Sequence, residues 1–307
     1  MSSFFYKKGG ILMGKIDVFH YDAFTTSPGK GNPAGIVLGG QDLTEENMQK
    51  IAAEVGFNEC AFPIPSDAAD IRIRYFTPGH EMPLCGHATM ASMAALLKQK
   101  KLPEKEMYTI ETAAGILSVH VTKEKQHYQI RMEHAKPEFV LFHGSKEKLA
   151  ASIGIETGDI DPAYPIAYGS TGTWTLCIPI SNVAAFHKMK PDNSQFPGIL
   201  QEMPKASVHP FSLTAVAPDA DMHARHFSSP YSGTLEDAVT GTGSGVMGAY
   251  YATYVEPGKK ENYSVIVEQG QEMGKDGRVL VQIQNELDLQ IAISGTAVFV
   301  QLLTIEV

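Results

Sequence analysis

Two short stretches concentrate the residues that could do chemistry: Cys85-Gly86-His87 in "PLCGHATMASMAALL" and Thr240-Gly241-Thr242 in "LEDAVTGTGSGVMGAYY". Each is a polar loop, then a glycine, then a run of small residues, and so reads as the start of a tightly packed helix. The first backbone N–H groups of a helix have no partner within it and carry partial positive charge, and glycine lets a ligand approach them closely. Two such starts together suit a carboxylate. They are separated by about half the chain, which suggests two similarly built halves, a pseudo-twofold arrangement and a cleft to which both starts contribute.

Ionisable groups gather near these starts. Glu59 in "GFNECAF" enters an otherwise apolar strand, where desolvation raises a carboxyl group toward the range useful for proton transfer. His87 follows Gly86, and Asp237 stands beside Glu236 just before the second glycine turn. Each has a plainer alternative: a solvent-facing carboxylate for Glu59, a helix-capping ring for His87, a turn or cap residue for Asp237. Cys85 is either a thiol activated by a helix N-terminus or a small packed residue. "GTGSG" lacks the lysine of a Walker loop and the spacing of a dinucleotide fingerprint, and no G-x-S-x-G nucleophile elbow occurs. His80 and His87 have no metal-ligand spacing, so no metal is expected.

The elements that must hold these residues are mostly strands. Alternating β-branched and aromatic residues predict strands at 15–24, 34–39, 59–64, 70–77, 107–112, 116–123 and 127–133, then near 163–168, 173–180, 211–217, 222–228, 263–268, 278–284, 287–293 and 296–306. Helices are expected at 44–55, 86–101, 181–188, 192–201 and 242–254. A chain of 307 residues with 43% hydrophobic and 19% charged residues suits two ordinary domains. They are placed at 14–135 and 146–294, joined near 134–145, with 295–307 as a strand crossing back to the first. The net charge of -9 and the lack of a dense basic block argue against a nucleic-acid partner. No apolar run approaches the length that spans a bilayer, so no membrane association is expected. Residues 1 to about 13 read as an extension without a signal peptide, Met13 being an alternative start. Cys60, Cys85 and Cys177 form neither a disulfide framework nor a zinc pattern, which points to a reducing cytoplasm.

"GNPAGIVL", "GFNECAF", "RYFTPGHEMPLCGHAT" and "EDAVTGTGSG", in that order and at those separations, closely resemble the phenazine-biosynthesis PhzF-like family of the diaminopimelate epimerase-like superfamily. The resemblance covers roughly residues 15 to 305. It implies an α+β fold of two pseudo-symmetric lobes, each a curled, barrel-like sheet around a central helix, commonly as a homodimer, with a cofactor-free isomerase site in the inter-lobe cleft. Carried over motif by motif, Glu59 matches the proton-transferring glutamate, His87 the histidine of the Gly-His turn and Asp237 the aspartate of the second glycine turn. Asn32, Cys85, Gly86, Thr240, Gly241 and Thr242 fall at substrate-binding positions, Thr242 standing where the phenazine enzyme has a serine. In the racemase and epimerase branches a cysteine precedes each glycine turn. Here Thr240 replaces the second, which does not support a two-thiol mechanism.

The expected function is therefore an isomerase that moves a proton between carbons of a small carboxylate-bearing metabolite, with Glu59 as general acid/base. Two alternatives stand beside it: a Cys85-dependent racemase, epimerase or dehydratase, and a non-catalytic metabolite-binding protein on the same scaffold.

Overall fold

A computed structural model describes residues 6–8 and 11–306, with side chains from residue 14 onward. Of the expected N-terminal extension, residues 1–5 and 9–10 lie outside the described residues, whereas β1 (Tyr6–Lys8) and β2 (Ile11–Met13) pair as a short antiparallel hairpin. The chain divides into two compact units, one comprising Met1–Met132 with Gly295–Val307 and the other Glu133–Ser294.

In the first unit the order is β3 (Lys15–Ala23), β4 (Asn32–Ile36), α1 (Glu45–Val55), β5 (Glu59–Ile64), β6 (Ile71–Phe76), β7 (Glu81–Met82), α2 (Gly86–Lys98), β8 (Met107–Thr112), β9 (Gly115–Glu124) and β10 (His127–Glu133). Strand β4 runs antiparallel to β3 and parallel to β5. Strand β6 is antiparallel to β5 and β7 but parallel to β8, and β8, β9 and β10 form a meander. Thr44 caps α1 through the Asn47 N–H, and Gly56 closes it at φ +71°. Residues 87–97 of α2 are all buried. A helix buried on every face needs no polar stripe, which is why its sequence is small and apolar throughout.

The second unit runs β11 (Glu138–Leu141), α3 (Lys146–Ser152), β12 (Ala167–Ser170), β13 (Trp174–Pro179), α4 (Phe196–Ile199), β14 (Ser207–Ser212), β15 (Met222–Ala224), β16 (His226–Phe227), β17 (Glu236–Asp237), α5 (Gly241–Tyr250), β18 (Tyr263–Gln269), β19 (Gly277–Gln284) and β20 (Gln290–Gly295). Its pairing repeats that of the first unit. Strand β13 is antiparallel to β12 and parallel to β14, β14 is antiparallel to β15 and β16, β15 is parallel to β18, and β18 to β20 form the closing meander. Helix α5 occupies the place of α2 and is as thoroughly buried. Strand β21 (Ala297–Glu306) returns to pair antiparallel with β3. Each unit is thus a mixed sheet enclosing one central helix, the expected α+β class. No helix among the described residues is long and apolar enough to cross a membrane.

Several boundaries differ from the sequence reading for identifiable reasons. The segment expected as a linker over 134–145 contains β11, which pairs with β12 and sets Phe139 edge-on to Tyr250 and Tyr254. The strand expected at 211–217 is β14, which ends at Ser212; the Val216 and Ala217 N–H groups donate to the Glu268 carboxylate instead of to a neighbouring strand. Helix α2 stops at Lys98, because Lys100 turns to φ +54° and the Lys100 and Lys101 N–H groups close back onto Leu97 and Leu96. The helices expected at 181–188 and 192–201 are mostly short 3-10 turns, with only Phe196–Ile199 α-helical. Beyond Tyr250, α5 widens into a π turn over Tyr251–Val255.

Candidate active site

In the first unit four predicted residues meet at the start of α2. The parallel register that sets Ala34 opposite Glu59 brings the beginning of β4, and so Asn32, to the same end of the sheet as Glu59. Cys85 is the extended N-cap residue of α2, and its carbonyl is held by the Thr89 hydroxyl at 2.7 Å, which itself bonds Tyr75 at 2.6 Å. His87 then points one ring nitrogen, Nε2, at Glu59 Oε2, 3.2 Å away. Its other nitrogen lies 3.3 Å from Asn32 Nδ2 and 3.4 Å from Cys85 Sγ. With the Asn32 amide donating to Nδ1, the ring carries its proton on Nε2, the nitrogen that faces Glu59 Oε2. The Glu59 side chain is 16% exposed and that of His87 8%. The carboxylate is therefore reachable yet sits among buried groups, where its interactions are stronger than in water.

Above Gly86 the space is open: a Cβ there would meet nothing within 4 Å. The helix start is thus approachable by a ligand, and its outward N–H groups suit a carboxylate or an oxyanion. One donor atom each from Glu59, Cys85 and His87 lies within 4.8 Å of the others, so these three could also hold a metal ion. Cys60 and Cys177 are different: burial pushes the Cys60 thiol up to about 12 and raises that of Cys177 as well.

The remaining predicted residues lie in the second unit, at the start of α5. Asp237, at the end of β17, accepts a 2.6 Å hydrogen bond from the hydroxyl of Thr240, the N-cap residue. Gln269 clasps the same turn. Its Oε1 accepts from the Thr240 N–H at 3.1 Å, and its Nε2 donates to the Asp237 carbonyl at 2.7 Å and to Thr240 Oγ1 at 3.3 Å. Gly241 and Thr242 open the helix, Gly241 buried and Thr242 partly so.

Sequence reasoning missed what supports this turn. Gln269 comes from β18, and a pair of buried histidines, His209 and His226, lies against the helix with their Nδ1 atoms 3.0 Å apart. Burial pushes both well toward the neutral form, opposed at His226 by the Asp237 charge. The adjacent Glu236 is gripped by Arg225 at 2.8 and 2.6 Å. None of these has a local motif; the one signal was the run of glycines. A Cβ at Gly243 would approach the His209 ring to 2.8 Å, one at Gly245 would strike His134, and one at Gly248 would reach Val281 at 2.5 Å. "GTGSG" is a packing surface for side chains.

The sequence model of the family described as "Phenazine biosynthesis-like protein" matches residues 21–302. An uncharacterized isomerase of Bacillus subtilis (strain 168) is 51% identical over 289 residues, covering 94% of this chain and 97% of its own. Among solved structures, a PhzF-family phenazine biosynthesis protein of Bacillus anthracis superposes with a TM-score of 0.93 at 53% identity, covering 95% of this chain and 99% of that one. A "predicted epimerase" from Pseudomonas aeruginosa shares the fold at 20% identity, with a TM-score of 0.77 and coverage of 94% and 99%. The match along almost the whole chain, together with the repeated sheet around two glycine-started helices, establishes that the chain belongs to the phenazine biosynthesis-like family and is an isomerase of that family.

Proposed function

We propose that the protein moves a proton between carbons of a small carboxylate-bearing metabolite, with Glu59 as the general acid/base. The observation that carries this reading is the 3.2 Å contact between Glu59 Oε2 and His87 Nε2 at an approachable helix start. Glu59 removes a proton from one carbon and returns it to another. His87, with its tautomer set by Asn32, orients the carboxylate and stabilises its charged form before the first transfer and after the second. The N–H groups at Gly86 and His87 stabilise the negative charge that develops on the substrate as an enolate-like species. Gly241, Thr242 and the Asp237–Thr240 turn bind and orient the substrate's polar groups. Acid, base and oxyanion donors are all supplied by protein groups, so this chemistry calls for no cofactor. A homodimer is the expected assembly.

Incubation in deuterium oxide with a panel of cyclic and amino-acid carboxylates tests this reading. The wild type incorporates deuterium into its substrate, and Glu59→Gln lowers the rate by about 10²–10⁴-fold while binding persists. An unchanged rate in that variant overturns the assignment. A second reading rests on the 3.4 Å approach of Cys85 Sγ to His87 Nδ1, a thiol–imidazole pair of the kind that generates a nucleophile or base. It predicts that a thiol alkylator and Cys85→Ala each abolish exchange while Glu59→Gln leaves it intact.

A further inference from the structure

We propose that Glu59, Cys85 and His87 form a binding site for a borderline-soft divalent cation of the Zn²⁺ type, and that such an ion is a reversible inhibitor of the protein. The inhibition rests on the role given to Glu59 above; the binding does not. Three residues from two elements, β5 and the start of α2, supply a carboxylate oxygen, a thiol sulfur and an imidazole nitrogen, with all donor atoms within 4.8 Å of one another. Tetrahedral zinc with Zn–S near 2.3 Å and Zn–N and Zn–O near 2.0–2.1 Å sets neighbouring donors about 3.3–3.6 Å apart. The structure already has 3.2 Å between Glu59 Oε2 and His87 Nε2, and 3.4 and 4.0 Å between Cys85 Sγ and the two ring nitrogens. A single ring nitrogen must ligate: at Nε2 the Glu59 side already fits, the Cys85 side closes from 4.0 Å to about 3.6 Å, and the Glu59–Cys85 side stands within 4.8 Å.

The donor set chooses the metal. One carboxylate beside sulfur and imidazole is a poor site for Mg²⁺ or Ca²⁺, which require oxygen ligands, and a good one for Zn²⁺ or Co²⁺. Three protein ligands leave a fourth position at which water or a substrate carboxylate can complete the coordination. Binding through Nε2 displaces the Cys85 thiol proton to solvent and moves the His87 proton to Nδ1, where the Asn32 amide turns its oxygen to accept it. Once ligated, Glu59 can no longer accept a proton from carbon.

The test is equilibrium dialysis of the metal-free full chain against Zn²⁺, with a parallel Co²⁺ titration followed by the thiolate-to-cobalt charge-transfer absorption. The wild type should bind about one equivalent and show the band. Cys85→Ser should lose the band, and Cys85→Ser, His87→Gln and Glu59→Gln should each bind about tenfold or more weakly. Cys60→Ser and Cys177→Ser, altering thiols that the structure buries elsewhere, should retain it. Thermal unfolding in chelator identifies any variant that has lost its fold; if Cys85→Ser has, the isosteric Glu59→Gln decides. Binding far below one equivalent, a band surviving in Cys85→Ser, or equal competition by Mg²⁺ overturns the site. If Zn²⁺ binds as described while Glu59→Gln leaves deuterium exchange intact, the catalytic reading falls and the metal site stands. If exchange depends on Glu59 but no metal binds, the reverse holds.

Discussion

The starts of α2 and α5 are built on the same strand pairing, yet they are finished in opposite ways. At α2 the space above Gly86 is open, and Glu59, Cys85 and His87 lie against one another with their chemistry still available. At α5 the Asp237 carboxylate is engaged by Thr240, the turn is clasped by Gln269, and the glycines that follow are filled by His209, His226 and His134. A helix start therefore does not by itself confer reactivity. The first leaves an acid, an imidazole and a thiol side by side below open space, and the second is tied by hydrogen bonds and packing.

The largest effect that could break this contrast is on turnover. Glu59→Gln should reduce proton exchange by about 10²–10⁴-fold. Thr240→Val, which deletes the donor to Asp237, should cost about tenfold, the value of one hydrogen bond to a charged group. Equal losses measured by deuterium incorporation would make the two starts chemically equivalent.

Stability should show the opposite asymmetry. Gly245→Ala drives a methyl group into His134, and overpacking of this kind lowers stability by about 1–3 kcal/mol. Gly86→Ala adds its methyl group to open space and should change stability by less than about 0.5 kcal/mol, while raising KM by crowding the ligand. Thermal midpoints and KM values for the pair check both halves of the comparison.

Acid should act on the filled start. Burial holds His134 at about 4 against an ordinary value of 6.5. Unfolding restores the higher proton affinity, so this contribution is complete above pH 6.5 and is lost as pH falls toward 4, amounting to about 2 kcal/mol at pH 5. His209 and His226 are displaced in the same direction and add to the loss. Urea unfolding at pH 7 and pH 5 should show this loss in the wild type and a smaller one in His134→Gln.

Much of the frame was legible in the chain. Strand positions such as Met107–Thr112 and His127–Glu133 follow from alternation, because period-two burial is written directly into side-chain order. Strand β11 and the end of β14 were not, because an ordering contact from afar decides them: Phe139 on the tyrosines of the π-turn region, and Glu268 on the N–H groups of Val216 and Ala217. Among site residues, those next to glycines stood out, whereas Gln269, His209 and His226 have no neighbour in sequence that marks them.

By itself, then, the sequence determined the two glycine-started helices, the mostly β architecture around them and the identity of the acid, imidazole and thiol, since each is a property of residue type and local spacing. Only the tertiary structure decided which of these groups touch. The parallel register of β4 and β5 carries Glu59 to the first helix start and to His87, while the fold of the second unit spends its glycines on packing. Periodicity constrains a residue's own element, but proton transfer and metal binding depend on distances of a few ångströms between elements, and those are fixed only when the sheets close around their helices.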